Sequence, residues 1–510
     1  LIVPALALIA LEGHRMSHPS LRASARVIAE KIRARVWSSR EVVDAHIAVI
    51  ERVNPTLRAV VRDRFALARA EADQADRAVE RGAVEPLGLL HGVPCTIKEA
   101  FALTGMPNSS GLLARRHVVA DRDAVTVERL RAQGAIPLGV TNVSELCMWY
   151  ESDNRVYGRT GSAFAPDRTC GGSSGGEGAI VGAGGSPFGL GSDVGGSIRI
   201  PAFFNGVYGH KPSGGCVPGT GQYPMAHGSA RTMLATGPLC RDAEDLDLLL
   251  SVLRGPDGQD DACVPMARRD LSEVPIESLR VYLVDEPAPL RASAPLRAAV
   301  ERAGELLARR GARVERRAIP ELRRAVEIWA AMLSAAGGPS FTELLGQGRP
   351  VRAGREFLKG LVGRSEFTLP ATALALIEKI PALKGEAAER VIESGRALRR
   401  SLDALLGDEG VLLFPPHART APPHGRPLWT PLQWGHTAII NALALPATAA
   451  PMGFDDEMIP LGVQIIGAHG RDHVCIAAAI ALQEANGRWA PPPWTNTTKN
   501  EVSHDVIAAG

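Results

Sequence analysis

Three residues of this 510-residue chain combine side-chain types and settings suited to nucleophilic chemistry: Lys98, Ser173 and Ser197. A serine hydroxyl is a weak nucleophile until a base takes its proton, and no suitable histidine adjoins either serine. A lysine serves instead when burial strips its charge, because desolvation disfavours the ammonium form. Ser173 would then relay the proton between Lys98 and Ser197, accepting on one side and donating on the other. The run Asp193-Val194-Gly195-Gly196 leading into Ser197 would turn successive amide N–H groups, those of Val194, Gly195, Gly196 and Ser197, toward a developing oxyanion. Lysine usage supports the choice of base. Only seven of the 57 basic residues are lysine, yet one directly follows Val93-Pro94-Cys95-Thr96-Ile97. An arginine there would stay charged and could not act as a base. A lysine ending a strand ordinarily reaches solvent; two serine loops in the same chain argue against that here.

Positioning such groups requires a rigid frame, and the sequence alternates strand-like and helix-like segments. Gly92–Ile97 and Ile136–Val140 read as buried strands, with a helix over Asp123–Gln133 between them. Ser38 and Glu41 form a capping box for an earlier helix, expected to end before Pro55. Later strands are expected at Pro187–Gly191, Leu279–Val284, Val411–Phe414 and Val463–Gly467. Helices are expected at Pro295–Arg310 and from His473 to about Ala485. The stretch Gly171–Gly215 is glycine-rich but keeps apolar residues, so it reads as tight loops around a strand rather than as a disordered segment. The predicted fold class is α/β, a mixed β-sheet core covered by helices on both faces. Residues 21–495 are expected to form one domain with a helix-rich insertion at about 318–405, between an apolar N-terminal tail (1–20) and a C-terminal tail (496–510).

Composition narrows the function classes. A net charge of +2 and scattered arginines give no basic patch for nucleic acid. Seven cysteines without a CxxC pair argue against a disulfide framework or a zinc site and favour reduced thiols in a cytoplasmic protein. The apolar Leu1–Glu12 is too short to span a bilayer, so no firm membrane anchor is expected. The sequence leaves a homodimer open.

Gly171-Gly172-Ser173-Ser174-Gly175-Gly176-Glu177 followed by Gly191-Ser192-Asp193-Val194-Gly195-Gly196-Ser197-Ile198-Arg199 resembles the amidase-signature family. Met106–Gly111, Thr141–Ser152, Pro201–Gly206 and Pro460–Gly467 look closest to its fatty-acid amide hydrolase 2-like amidases. The resemblance runs from about Leu21 to Trp489. It implies a Ser–cis-Ser–Lys triad, with Ser197 as nucleophile, Ser173 as the serine after a cis peptide and Lys98 as base. Ser174 is expected to position its loop, and Asp193 and Arg199 to brace the oxyanion turn. No metal or organic cofactor is implied. Met148, Trp149, Tyr150, Phe203 and Phe204 are candidates to line a substrate pocket, with Trp429 and Trp434 beside them. The expected activity is hydrolysis of a small-molecule amide, extending to esters and carbamates in the manner of a urethanase. The rivals are a non-catalytic scaffold on the same fold and an amidotransferase subunit that releases ammonia for a partner synthetase. A GxSxG nucleophile elbow centred on Ser173 or Ser174 is disfavoured, because Asp167-Arg168-Thr169-Cys170 ahead of it is no clear strand.

Overall fold

The apolar run ahead of Lys98 forms a strand buried along its whole length, Pro94–Lys98. In the computed structural model, which describes residues 17–82, 86–284, 290–378 and 385–496, this strand lies inside an eleven-stranded sheet. In chain order the strands are β1 (Val60–Asp63), β2 (Pro94–Lys98), β3 (Ile136–Thr141), β4 (Phe188–Asp193), β5 (Tyr208–Lys211), β6 (Ala235–Cys240), β7 (Arg280–Val284), β8 (Arg313–Arg317), β9 (Gly410–Phe414), β10 (Ala447–Phe454) and β11 (Pro460–Gly467). They lie in the order β1-β3-β2-β4-β6-β5-β10-β11-β9-β7-β8. The sheet is mixed: β3-β2-β4 and β9-β7-β8 run parallel, and the strands between are antiparallel.

Alternation along β9 shows that both faces are covered. Val411 and Leu413 enter one apolar cluster with helices Ala294–Ala308 and Asp472–Asn486. Leu412 and Phe414 enter another with helices Ala325–Ala335, Glu386–Leu406 and Gly435–Ala442. Successive side chains of a strand point to opposite faces, so a helical layer packs on each side. The fold is α/β. Between β8 and β9 the described residues form helices Ala325–Ala335, Phe341–Leu345, Ala353–Leu361, Leu369–Ile377 and Glu386–Leu406. Residues 1–16 and 497–510, in the two expected tails, lie outside the described residues.

Some local expectations are corrected. The capping box at Ser38 and Glu41 forms, but its helix runs from Ser39 to Leu57 through Pro55. Its left-handed end comes at Arg58, whose N–H donates to Asn54 O. The sequence reading missed β1, β5, β6, β8 and β10. β6 carries Gly237 and Pro238, which argue against a strand locally. Pairing with β4, Pro238 opposite Leu190, outweighs that preference. β8 is a charged strand at the sheet edge, without the apolar alternation that marks a half-buried strand.

Candidate active site

β2 and β4 run parallel and side by side, so Lys98 at the end of β2 and the glycine turn after β4 emerge at the same edge. Lys98 is inaccessible to solvent. Its Nζ lies 2.7 Å from Ser173 Oγ and 3.0 Å from Ser192 Oγ. Burial lowers its pKa below that of an ordinary lysine, while Cys147, Asp193 and Glu177 nearby pull the other way. Burial is the largest of these influences, and both carboxyls have partners of their own. Asp193 is bonded to Arg199, and Glu177 accepts from Thr96 Oγ1 and Thr141 Oγ1 at 2.6 and 2.7 Å. Burial pushes the Glu177 carboxyl up to about 8, which favours its neutral form.

Ser173 follows a cis Gly172–Ser173 peptide. Ser152 locks its loop, donating through Oγ to Ser173 O and accepting from the Gly175 N–H at 3.0 Å. Helix Gly175–Gly182 then departs into the core. A Cβ on Gly176 would lie 2.3 Å from Asn142 N, so only glycine lets this helix approach the loop after β3. Ser174 ties the two serine loops together: its N–H donates to Ser197 O at 3.1 Å. Its Oγ donates to Ser192 O and accepts from the Ser192 N–H. Ser197, 8% exposed, is the most accessible of the three serine and lysine groups. Among the described residues its Oγ has no hydrogen-bond partner, so the Ser173–Ser197 leg of the relay is open; such bonds often tighten only with substrate.

Asp193 and Arg199 are both fully buried and bonded to each other. The Asp193 carboxylate also accepts from the N–H groups of Gly196, Ile198 and Arg199. Burial raises its pKa, but the Arg199 charge, Arg199 hydrogen bonds and the Ile198 amide outweigh this and hold it below the usual carboxylate range. Arg199 continues outward to Gln464 Oε1, Thr437 O and Asn441 Oδ1. This arrangement corrects the oxyanion set. The Gly196 N–H donates to Asp193 Oδ1 at 2.6 Å and is unavailable to a ligand. The N–H groups of Val194, Gly195 and Ser197 have no partner among the described residues.

These three residues line a cleft together with Gly172, Cys147, Met148, Trp149, Tyr150, Ile200, Trp329, Leu374 and Trp434. The structure gathers Met148, Trp149, Tyr150 and Trp434 at Ser197. It does not bring Phe203 or Phe204 there. Both are buried on helix Arg199–Phe204, which packs against β5, β10 and β11, and their rings meet at a tilt, centroids 5.1 Å apart. Trp429 is mostly exposed and does not line the cleft. Sequence reasoning missed Ser192, Trp329, Leu374, Thr437 and Asn441. Ser192 lay within the quoted glycine motif; the other four come from helices without a local chemical signal. Among the described residues no group of three His, Cys, Asp or Glu side chains is placed to hold a metal ion.

A buried amine, two serines and a glycine turn with free amides around one apolar cleft are the parts of an acyl-transfer site. The chain matches the amidase family over residues 41–476 and belongs to that family. It is a hydrolase acting on amide C–N bonds. It is 42% identical to fatty-acid amide hydrolase 2-A of Danio rerio over 493 residues, covering 94% of this chain and 91% of that protein. A glutamyl-tRNA(Gln) amidotransferase subunit of Thermus thermophilus is 31% identical, covering 91% of this chain and 98% of that one. The solved structure of 6-aminohexanoate cyclic dimer hydrolase with its substrate superposes at a TM-score of 0.78 and 25% identity, covering 94% of this chain and all of that chain. The higher identity to the fatty-acid amide hydrolase supports amide hydrolysis over the amidotransferase alternative. Among the described residues no helix is long and apolar enough to cross a membrane.

Proposed function

We propose that the protein hydrolyses neutral amides carrying an apolar or aromatic acyl group, through an acyl-enzyme on Ser197. The observation that carries this is the cleft at Ser197: four aromatic side chains, Met148, Ile200 and Leu374 line it, and no ionised carboxylate or guanidinium does. Neutral Lys98 takes the Ser173 proton as Ser173 takes that of Ser197, and Ser197 Oγ attacks the acyl carbon. The oxyanion is received by the N–H groups of Val194, Gly195 and Ser197. The relay returns the proton to the leaving nitrogen, and water then releases the acyl group by the same path. Fatty-acid amides, the class named for the zebrafish relative, suit such walls. Esters and aryl carbamates present the same acyl carbon and are secondary substrates. Seven buried, unpaired thiols are consistent with a cytoplasmic location.

Two experiments test this. A fluorophosphonate should add once to the wild-type protein and not to Ser197→Ala, read by intact mass. Labelling that survives Ser197→Ala but is lost in Ser173→Ala would move the nucleophile. For the acyl group, kcat/KM should rise from propanamide to hexanamide by up to about fourfold per methylene, corresponding to roughly 0.8 kcal/mol per buried CH₂. Succinamate, with its charged end, should be far poorer than either. Equal rates for succinamate and hexanamide would contradict an apolar acyl site.

A further inference from the structure

We infer that Trp329, from helix Ala325–Ala335 between β8 and β9, is a positioning residue for the reaction: its indole N–H fixes the Val194–Gly195 peptide so that the Gly195 amide faces the acyl oxygen. This rests on the Ser197 chemistry proposed above. The C=O and N–H of a trans peptide point in opposite directions, so a donor that captures the carbonyl sets where the amide hydrogen looks. Four consecutive peptides of the turn can be followed one by one. The Asp193 carbonyl accepts from Asn441 Nδ2 at 2.7 Å, leaving the Val194 N–H free. The Val194 carbonyl accepts from Trp329 Nε1 at 2.7 Å, leaving the Gly195 N–H free. The Gly195 carbonyl accepts from Thr437 Oγ1 at 2.7 Å, but the N–H of that peptide, on Gly196, is taken by Asp193. The Gly196 carbonyl accepts from the Ile200 N–H at 2.8 Å, leaving the Ser197 N–H free. The residues bearing free N–H groups, Val194, Gly195 and Ser197, all line the cleft, and Gly196 does not.

Of the three anchors behind free amides, Trp329 is the one whose donating side chain also lines the cleft; Ile200 lines it too but donates through its backbone N–H, and Asn441 does not line it. The Trp329 ring meets Trp434 edge-on, centroids 4.8 Å apart and planes at 80°. The two indoles close over Gly195. A Cβ on that glycine would lie 3.2 Å from Trp434 Cζ3 and 3.6 Å from Trp329 Nε1. One side chain thus bounds the substrate and aligns an oxyanion donor. Removing an oxyanion donor outright typically costs about 10²–10³ in rate; leaving the donor present but unanchored should cost less, about 10–100-fold.

The test compares wild type, Trp329→Phe and a protein carrying 3-benzothienylalanine at position 329. The last replaces the N–H by sulfur and keeps the ring shape, so it serves even if the phenylalanine variant folds poorly. For hexanamide hydrolysis kcat should fall at least tenfold in both, with KM within about threefold. Affinity for a hexyl trifluoromethyl ketone, whose adduct with serine places an oxyanion on these amides, should fall in parallel. Affinity for the unreactive secondary alcohol of the same chain should hold. Unchanged kcat, or equal losses for ketone and alcohol, would make Trp329 a wall residue only and overturn the inference. Ser197→Ala runs alongside: full activity there would remove the parent mechanism and this inference with it. An inactive Ser197→Ala beside an unimpaired benzothienyl protein would overturn the inference alone.

Discussion

Lys98→Met should separate activity from stability in a way that only a buried, proton-accepting lysine explains. Methionine approximates the length of the side chain and lacks the amine. Two hydroxyls lose a partner, Ser173 Oγ and Ser192 Oγ, and a buried polar group left unpaired costs about 1–3 kcal/mol. Against this stands the lysine's own burden. Its folded pKa lies below the unfolded value of 10.5 because burial disfavours the ammonium form. At pH values below the folded pKa the native state must hold a buried charge, and that penalty is relieved as pH rises toward 10.5. The substitution should therefore destabilise by about 1–3 kcal/mol or more near the alkaline end, where only the lost hydrogen bonds count, and cost less or stabilise at acid pH, where it also removes the buried charge. Activity should behave oppositely. Loss of a general base costs about 10²–10⁴ in rate, and the wild-type kcat/KM should drop tenfold per pH unit below the folded pKa of Lys98. The assays are steady-state hexanamide hydrolysis from pH 5 to 10 and urea unfolding at both ends of that range. A wild-type profile flat down to about pH 5, or a methionine variant within threefold of wild type, would refute a lysine base.

Two further predictions concern the supports. Asp193→Asn removes the countercharge of fully buried Arg199 and weakens an acceptor of five hydrogen bonds, three of them from backbone N–H groups. Breaking one side of a buried pair costs about 3–5 kcal/mol; urea unfolding should show a loss of that size, partly recovered by Arg199→Met in the same chain. Glu177→Gln should stabilise the protein more at pH 8 than at pH 5. The folded carboxyl titrates at about 8 and the unfolded one near 4.5, so between those values the unfolded chain is ionised while the native one is not, and wild-type stability falls as pH rises. Equal effects of the glutamine at both pH values, read from unfolding midpoints, would mean the carboxyl titrates normally.

The parts of the fold that the sequence made legible are those where local pattern and tertiary role agree. β2 and β3 are fully buried and mostly apolar because they lie inside the sheet. The helix from Ala294 has Pro295 in its first turn, where a missing N–H costs nothing. The elements that escaped notice are those that tertiary pairing imposes. β6 keeps Gly237 and Pro238 yet pairs along six residues with β4. β10 begins Ala-Thr-Ala-Ala-Pro, with little strand preference of its own, and is held between β5 and β11.

The site divides along the same line. Lys98, Ser173 and Ser197 could be picked out because chemistry restricts which residue types can do their work, and the glycines beside them mark where backbone must come close. The groups that hold them need only donate or accept a hydrogen bond from the right place, which many residue types can do from many positions. Asn441 shows this: an ordinary helix residue in sequence, it captures the Asp193 and Met233 carbonyls and accepts from Arg199, more than 200 residues away. Phe203 and Phe204 show the converse. Candidates for the pocket in the sequence, they lie on a short helix whose contacts are with the sheet, so their rings pack inward while Trp329, far along the chain, reaches the cleft. The glycine motifs marked the turn that carries the nucleophile, and the sequence named Met148, Trp149, Tyr150 and Trp434, but not Trp329 and Leu374, which helices between β8 and β9 bring to the cleft. Substrate preference should therefore respond to substitutions at Trp329, Leu374 and Trp434 more than to any change within the glycine motifs, which fix the reaction and leave the acyl group to the helices.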